Sequence, residues 1–93
     1  MGAERALAVG LANAVLPDAE ATLAHALQLA SRIAAKSPLA VRGVKEMLAY
    51  ARDHSVADSL NYIATWNAAM LQSEDLMEAM SANMEKRAPV FKD

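Results

Sequence analysis

Apolar residues recur at helical spacing over most of the chain. Leu23, Leu27, Ala30, Ile33 and Ala34 follow the i, i+3, i+4 rule of a single helix face. Asp18, just before them, offers an N-cap acceptor, and Glu20 near the start with Arg32 and Lys36 at the end suits the helix dipole. Ser37-Pro38 opens a second helix: the serine oxygen can accept an early backbone N–H, and proline at the first helical position has none to orphan. Its inward positions are Leu39 or Ala40, Val44, Met47, Leu48 and Ala51. Gly43 within it costs roughly 1 kcal/mol relative to alanine, which implies a close backbone approach by a neighbour.

A third helix opens at Ser55, with Asp58 as the acidic member of a capping box, and carries Val56, Leu60, Ile63, Asn67, Met70 and Leu71. A fourth opens at Ser73. Glu74, Asp75 and Glu78 make its first turn acidic, Lys86 and Arg87 make its last turn basic, and Leu76, Met77, Met80 and Met84 form its apolar stripe. Pro89 ends it. Upstream of all these, the small, apolar, partly β-branched run from Leu7 to Leu16, stopped by Pro17, reads as a turn and a short strand. The expected fold class is therefore all-α, with about four helices after a short N-terminal strand or turn, packed antiparallel or at ridge-into-groove angles. The chain shows no internal repeat and no low-complexity linker.

Composition sharpens this picture. The chain has 93 residues, 55% hydrophobic but only 4% aromatic, and alanine favours helices because it has no side-chain entropy to lose. Small side chains also remove little apolar area from water, so a chain of this size needs a partner surface. A net charge of −2 without a basic stripe excludes a nucleic-acid binder. The longest uncharged stretch, Ala6 to Pro17, is too short to span a bilayer and lacks a signal-peptide pattern, so no membrane partner is expected. With no cysteine there is no disulfide framework and no thiolate metal site, which fits a reducing compartment. The closing Phe91-Lys92-Asp93 also differs from the Ser-Lys-Leu peroxisomal address. The expected location is the cytoplasm.

Candidate chemistry is sparse. His54 beside Asp53 and four residues before Asp58 could place metal ligands near one another, but the set lacks the spacing of a zinc motif, and the same residues serve as helix caps. His25 stands alone. Glu74, Asp75 and Glu78 could do acid–base work, yet their place in a first helical turn is already explained by the dipole. There is no glycine-rich phosphate loop and no nucleophile with a matched base, so the expectation is that no residue of this chain is catalytic, no metal is bound and no cofactor is held. Met70, Met77, Met80 and Met84 form an adaptable surface suited to core or subunit packing. Trp66, the largest apolar side chain, is the expected anchor of the fold or of an interface.

Four motifs in order resemble the end of the crotonase superfamily, the enoyl-CoA hydratases and isomerases. Ala8-Val9-Gly10-Leu11-Ala12-Asn13-Ala14-Val15 is similar to the family's Gly-Leu-Val-Asn-x-Val segment. Ser37-Pro38-Leu39-Ala40-Val41 with Lys45 is similar to its Ser-Pro-x-Ala-x plus Lys helix start. Ser73-Glu74-Asp75, Glu78-Ala79, Ala82, Glu85-Lys86-Arg87, Pro89 and Phe91 resemble its closing signature. The stretches Arg52-Asp53-His54-Ser55-Val56 and Ser59-Leu60 through Ala64-Thr65-Trp66-Asn67, then Met70-Leu71-Gln72, look most like dienoyl-CoA isomerases.

The resemblance implies an enzyme acting on fatty acyl-CoA thioesters, shifting a double bond through an enolate held in an oxyanion hole, with coenzyme A present only as part of the substrate. It also implies that residues 1–17 end the spiral-domain segment and residues 18–93 form the helical region that packs subunits and encloses the coenzyme. Catalytic groups then lie in the N-terminal spiral domain, and the chain alone is expected to be inactive. The implied partners are copies of itself, in a trimer or hexamer, or the spiral domain, together with the acyl-CoA substrate. In the tail, Phe91 would lie against the adenine and Lys92 would pair with the ribose 3′-phosphate of a coenzyme bound by the neighbouring subunit. The alternative reading is a non-enzymatic helical module that self-associates through its alanine and methionine faces.

Overall fold

The computed structural model describes residues 1–92, and they form helices connected by turns. Five helices are present among the described residues: α1 (Ala3–Ala8), α2 (Ala19–Ala34), α3 (Pro38–Ala51), α4 (Val56–Met70) and α5 (Glu74–Met84). Two compact units result, Met1–Arg32 and Ile33–Asp93.

The N-terminal run departs from the expected strand, and no strand occurs among the described residues. Ala3–Ala8 is a helix of strong helix formers, closed by a cap that begins at Val9. Gly10 adopts φ 76°, its N–H reaches the Leu7 carbonyl at 3.1 Å and the Leu11 N–H reaches Ala6 at 2.8 Å. This pair of bonds is a Schellman ending, which wants a left-handed residue just beyond the helix. The β-branched Val9 beside a glycine, read locally as a strand, is a helix terminus.

The remaining starts follow their capping residues. Asp18 Oδ1 accepts the Ala21 N–H at 2.7 Å, Ser37 Oγ accepts Ala40 at 3.2 Å, Ser55 Oγ accepts Asp58 at 3.0 Å and Ser73 Oγ accepts Leu76 at 3.2 Å. Each satisfies an N–H that the first helical turn leaves without a partner. Helix α5 ends earlier than its charge pattern suggests: Met84 is its last residue and Glu85 its cap. Lys86 and Arg87 therefore lie beyond the helix. Lys86 has φ 54°, with its N–H on Asn83 at 3.3 Å and that of Arg87 on Ala82 at 2.9 Å, a second Schellman turn.

In the second unit α3 and α4 pack against each other and run antiparallel, since Gly43 meets Trp66 while Glu46 and Tyr50 meet Tyr62. Trp66 lies on the Gly43 backbone so closely that a Cβ there would stand 2.8 Å from Cε2 and nearer still to Cζ2 and Cη2. The mid-helix glycine thus has the close neighbour its position implies. The apolar stripes behave differently. Leu48 is 64% exposed, Leu60 61% and Met77 64%, whereas the only buried hydrophobic residue among those described is Ala82. Gly43 under Trp66 and the paired Tyr50 and Tyr62 form the α3–α4 contact, and the large aliphatic faces stay open.

Candidate functional site

The tail and the head of α5 together make the most developed surface feature of the second unit. Reversal at Lys86 sends the chain back along α5, so that Val90 N–H donates to Glu78 Oε1 at 2.9 Å and Lys92 Nζ stands 3.7 Å from Glu74 Oε2. Between tail and helix lies an open groove of about 480 Å³, lined among others by Ser73, Glu74, Met77, Ser81, Phe91 and Lys92. Phe91 is half-buried and Lys92 exposed, so the ring forms part of the wall and the ammonium stands at the rim.

Three carboxylates near this groove have separate commitments. Asp75 accepts the Ser37 hydroxyl and the Leu39 N–H at 3.4 Å, joining the starts of α3 and α5. Glu78 takes a fork of two bonds from Arg87, Nη1 to Oε1 at 2.5 Å and Nη2 to Oε2 at 3.2 Å. That fork, with the Val90 N–H, holds the Glu78 carboxyl down at about 2 from its ordinary 4.5. Arg87 is raised in turn, by Glu78 first and by Glu85, whose Oε2 lies 2.6 Å from Nε. Only Glu74, exposed and facing Lys92, competes with an external anion for that ammonium.

A second groove, of about 300 Å³ and almost wholly apolar, runs between Leu39, Trp66, Met70, Leu71 and Leu76. Trp66 is half-buried, anchoring α4 on α3 with one side and walling this groove with the other. His54 belongs to neither groove. Its ring stacks on Tyr50 with centroids 3.7 Å apart, and Nδ1 lies 2.8 Å from the Tyr50 carbonyl and 2.8 Å from Asp53 Oδ1. Tyr50 stacks in turn on Tyr62 at 4.5 Å, and the Tyr62 hydroxyl donates to Glu46, which with burial raises its pKa. This ladder ties the end of α3 to α4. Among the described residues no three His, Cys, Asp or Glu side chains are placed to hold a metal ion, and no helix is long and apolar enough to cross a membrane.

The described residues thus make an all-α arrangement of helices with open apolar faces and a tail-walled groove. The family model for enoyl-CoA hydratase/isomerase matches residues 1–93, so the chain belongs to that family. It is 52% identical over 87 residues to a mitochondrial Delta(3,5)-Delta(2,4)-dienoyl-CoA isomerase of Pongo abelii, covering 94% of this chain and 26% of the relative. It is 56% identical over 63 residues to a peroxisomal dienoyl-CoA isomerase of Arabidopsis thaliana, covering 68% of this chain and 23% of the relative. An enoyl-CoA hydratase/isomerase crystal structure from Mycobacterium paratuberculosis superposes with a TM-score of 0.88 at 27% identity, over 99% of this chain and 36% of that one. The chain thus spans about a quarter of the length of the curated relatives it matches.

These relatives overturn the cytoplasmic expectation, since they carry mitochondrial or peroxisomal names. A lack of cysteine constrains redox chemistry and says nothing of address, which is read by receptors from signals rather than from fold.

The resemblance points to Phe91 and Lys92 together, and both line one groove. The Glu78–Arg87–Val90 cluster has no counterpart in the sequence pattern. Its members are 9 and 12 positions apart, a spacing no helix or strand periodicity brings together, and the charge pattern assigns Glu78 to the acidic first turn of α5, whereas that turn holds Glu74 and Asp75 and Glu78 follows it.

Proposed function

We propose that this chain is the C-terminal part of an acyl-CoA isomerase of the dienoyl-CoA type, supplying subunit packing and part of the coenzyme site while catalysis resides elsewhere. On this reading residues 1–17 close the spiral segment and residues 18–93 form the helical region. The enolate is stabilised by backbone donors of the spiral domain, where preorganised N–H groups act on the developing charge. The observation that carries the reading is the groove at the head of α5, where an aromatic wall and a rim lysine stand together. An aromatic face offers adenine a stacking surface, and an ammonium gives a phosphate a charge-assisted hydrogen bond. The open stripes of α3, α4 and α5 are the faces that a spiral domain and neighbouring subunits, in a trimer or hexamer, would cover.

The test is binding of coenzyme A to the full-length protein. Lys92→Ala should weaken CoA thioesters and leave analogues lacking the 3′-phosphate unaffected; equal loss for both, or none, removes Lys92 from the site. Glu74→Gln should tighten CoA binding, because it removes the carboxylate that competes for the ammonium.

A further inference from the structure

The position of the tail rests on one carboxylate. Beyond the Schellman turn at Lys86 the chain runs outside any helix, and its backbone is fixed to α5 through the Val90 N–H on Glu78 Oε1 at 2.9 Å. The same carboxylate grips the Arg87 guanidinium with both oxygens, and Arg87 Nε is held by Glu85 at 2.6 Å. Glu78 therefore fixes the tail at two points three residues apart, bracketing Pro89. Phe91 and Lys92 are the next residues along. Lys92 itself reaches α5 only through an exposed pair with Glu74 at 3.7 Å, with side chains 86% and 85% exposed, too weak to order a tail.

We propose that Glu78 is the positioning residue of the α5 groove: by clamping Arg87 and the Val90 N–H it sets where Phe91 and Lys92 are presented to a phosphorylated nucleotide ligand. The ligand's identity rests on the coenzyme reading; the clamp does not. A bidentate guanidinium–carboxylate pair fixes orientation as well as distance, and the ordering cost of the tail is then met before the ligand arrives, which raises affinity by preorganisation. The clamp acts through Phe91 and Lys92 and needs no contact with the ligand. Its depressed carboxyl pKa means that it stays ionised, and closed, at any pH near neutral.

Two readouts on the full-length protein separate the clamp from the ligand. Amide hydrogen exchange at Val90 should rise about tenfold or more in Glu78→Ala, the loss expected of a charge-assisted bond. In Glu78→Gln, which keeps an acceptor oxygen but loses the charged fork, the rise should be smaller. CoA affinity should fall in Glu78→Ala, and adding Glu78→Ala to a Phe91→Ala/Lys92→Ala variant should weaken binding no further, since residues acting through one path are not additive. Arg87→Gln provides the same test should Glu78→Ala lose helix content by circular dichroism. Unchanged Val90 exchange in both Glu78→Ala and Arg87→Gln overturns the clamp. Faster exchange with CoA affinity intact, where Lys92→Ala does weaken it, overturns the positioning role. Faster exchange with Lys92→Ala also silent leaves the clamp standing and sinks the coenzyme reading.

Discussion

Gly43 and Trp66 show how much a single missing side chain can carry. The indole occupies the space a Cβ would need, so Gly43→Ala gains helix propensity of roughly 1 kcal/mol but overpacks against a rigid ring. Overpacking typically costs about 1–3 kcal/mol, because the ring would have to move off α3 toward the groove on its other side and give up its contact with the helix, so the net effect should be destabilising in urea unfolding. Lys86 is the converse case. A lysine in the left-handed region at φ 54° carries strain of roughly 1–2 kcal/mol that glycine avoids. Lys86→Gly should therefore raise the unfolding midpoint, and no change would mean that the Schellman turn is not held in solution. For Glu78 the folded pKa of about 2 lies below the ordinary 4.5. Its stabilising contribution is thus complete above about pH 4.5 and lost as pH falls toward 2, and salt weakens it because the pair is partly exposed. The protection of the Val90 amide, measured against its intrinsic exchange rate at each pH, should fall as pH drops from 4.5 toward 2, and Glu78→Gln should remove that change in protection.

At the scale of elements, the helix starts and their contacts come from the same residues. Ser37 caps α3 through Ala40 and also donates to Asp75 at the start of α5. Ser37→Ala removes both, so its cost should exceed the ~1 kcal/mol of a cap alone. Asp75→Asn, which keeps the cap, should cost less. The capping serines were legible because a cap is satisfied three residues away, inside the window that sequence patterns span. The α3–α4 face was not. Periodicity assigns Val44 and Leu48 to the inward face of α3, yet these are exposed, and the surface that meets α4 is made by Gly43, Glu46 and Tyr50. The stripes are real, but amphipathic patterning records that a face is to be buried, not which neighbour buries it.

For the whole chain, apolar side chains left open in both units, Leu23 and Leu27 in the first and Leu48, Leu60 and Met77 in the second, demand cover. An isolated chain should self-associate, with a sedimentation coefficient that rises with concentration in the micromolar range. A stable, well-folded monomer would show that these faces tolerate water. The purified 93-residue chain should not turn over dienoyl-CoA, and supplying the N-terminal portion of a dienoyl-CoA isomerase relative should restore turnover. Activity of the chain alone would overturn the placement of catalysis outside it.

The sequence by itself determined the helical class, the caps at Asp18, Ser37, Ser55 and Ser73, and the family, because caps act within three residues and the family's motifs are short and ordered along the chain. Phe91 and Lys92 also came from those motifs. Tertiary structure decided what depends on distant residues meeting. It seated Trp66 on Gly43, joined Ser37 to Asp75, turned the chain at Lys86 and folded the tail onto Glu78. Where the sequence reads a turn and short strand over Leu7–Leu16, it made the capped end of a helix up to Leu11 and irregular chain beyond it. A strand needs a partner to satisfy its backbone, and none is present among the described residues. With Gly10 free to adopt a positive φ, the carbonyls of Ala6 and Leu7 were satisfied locally instead.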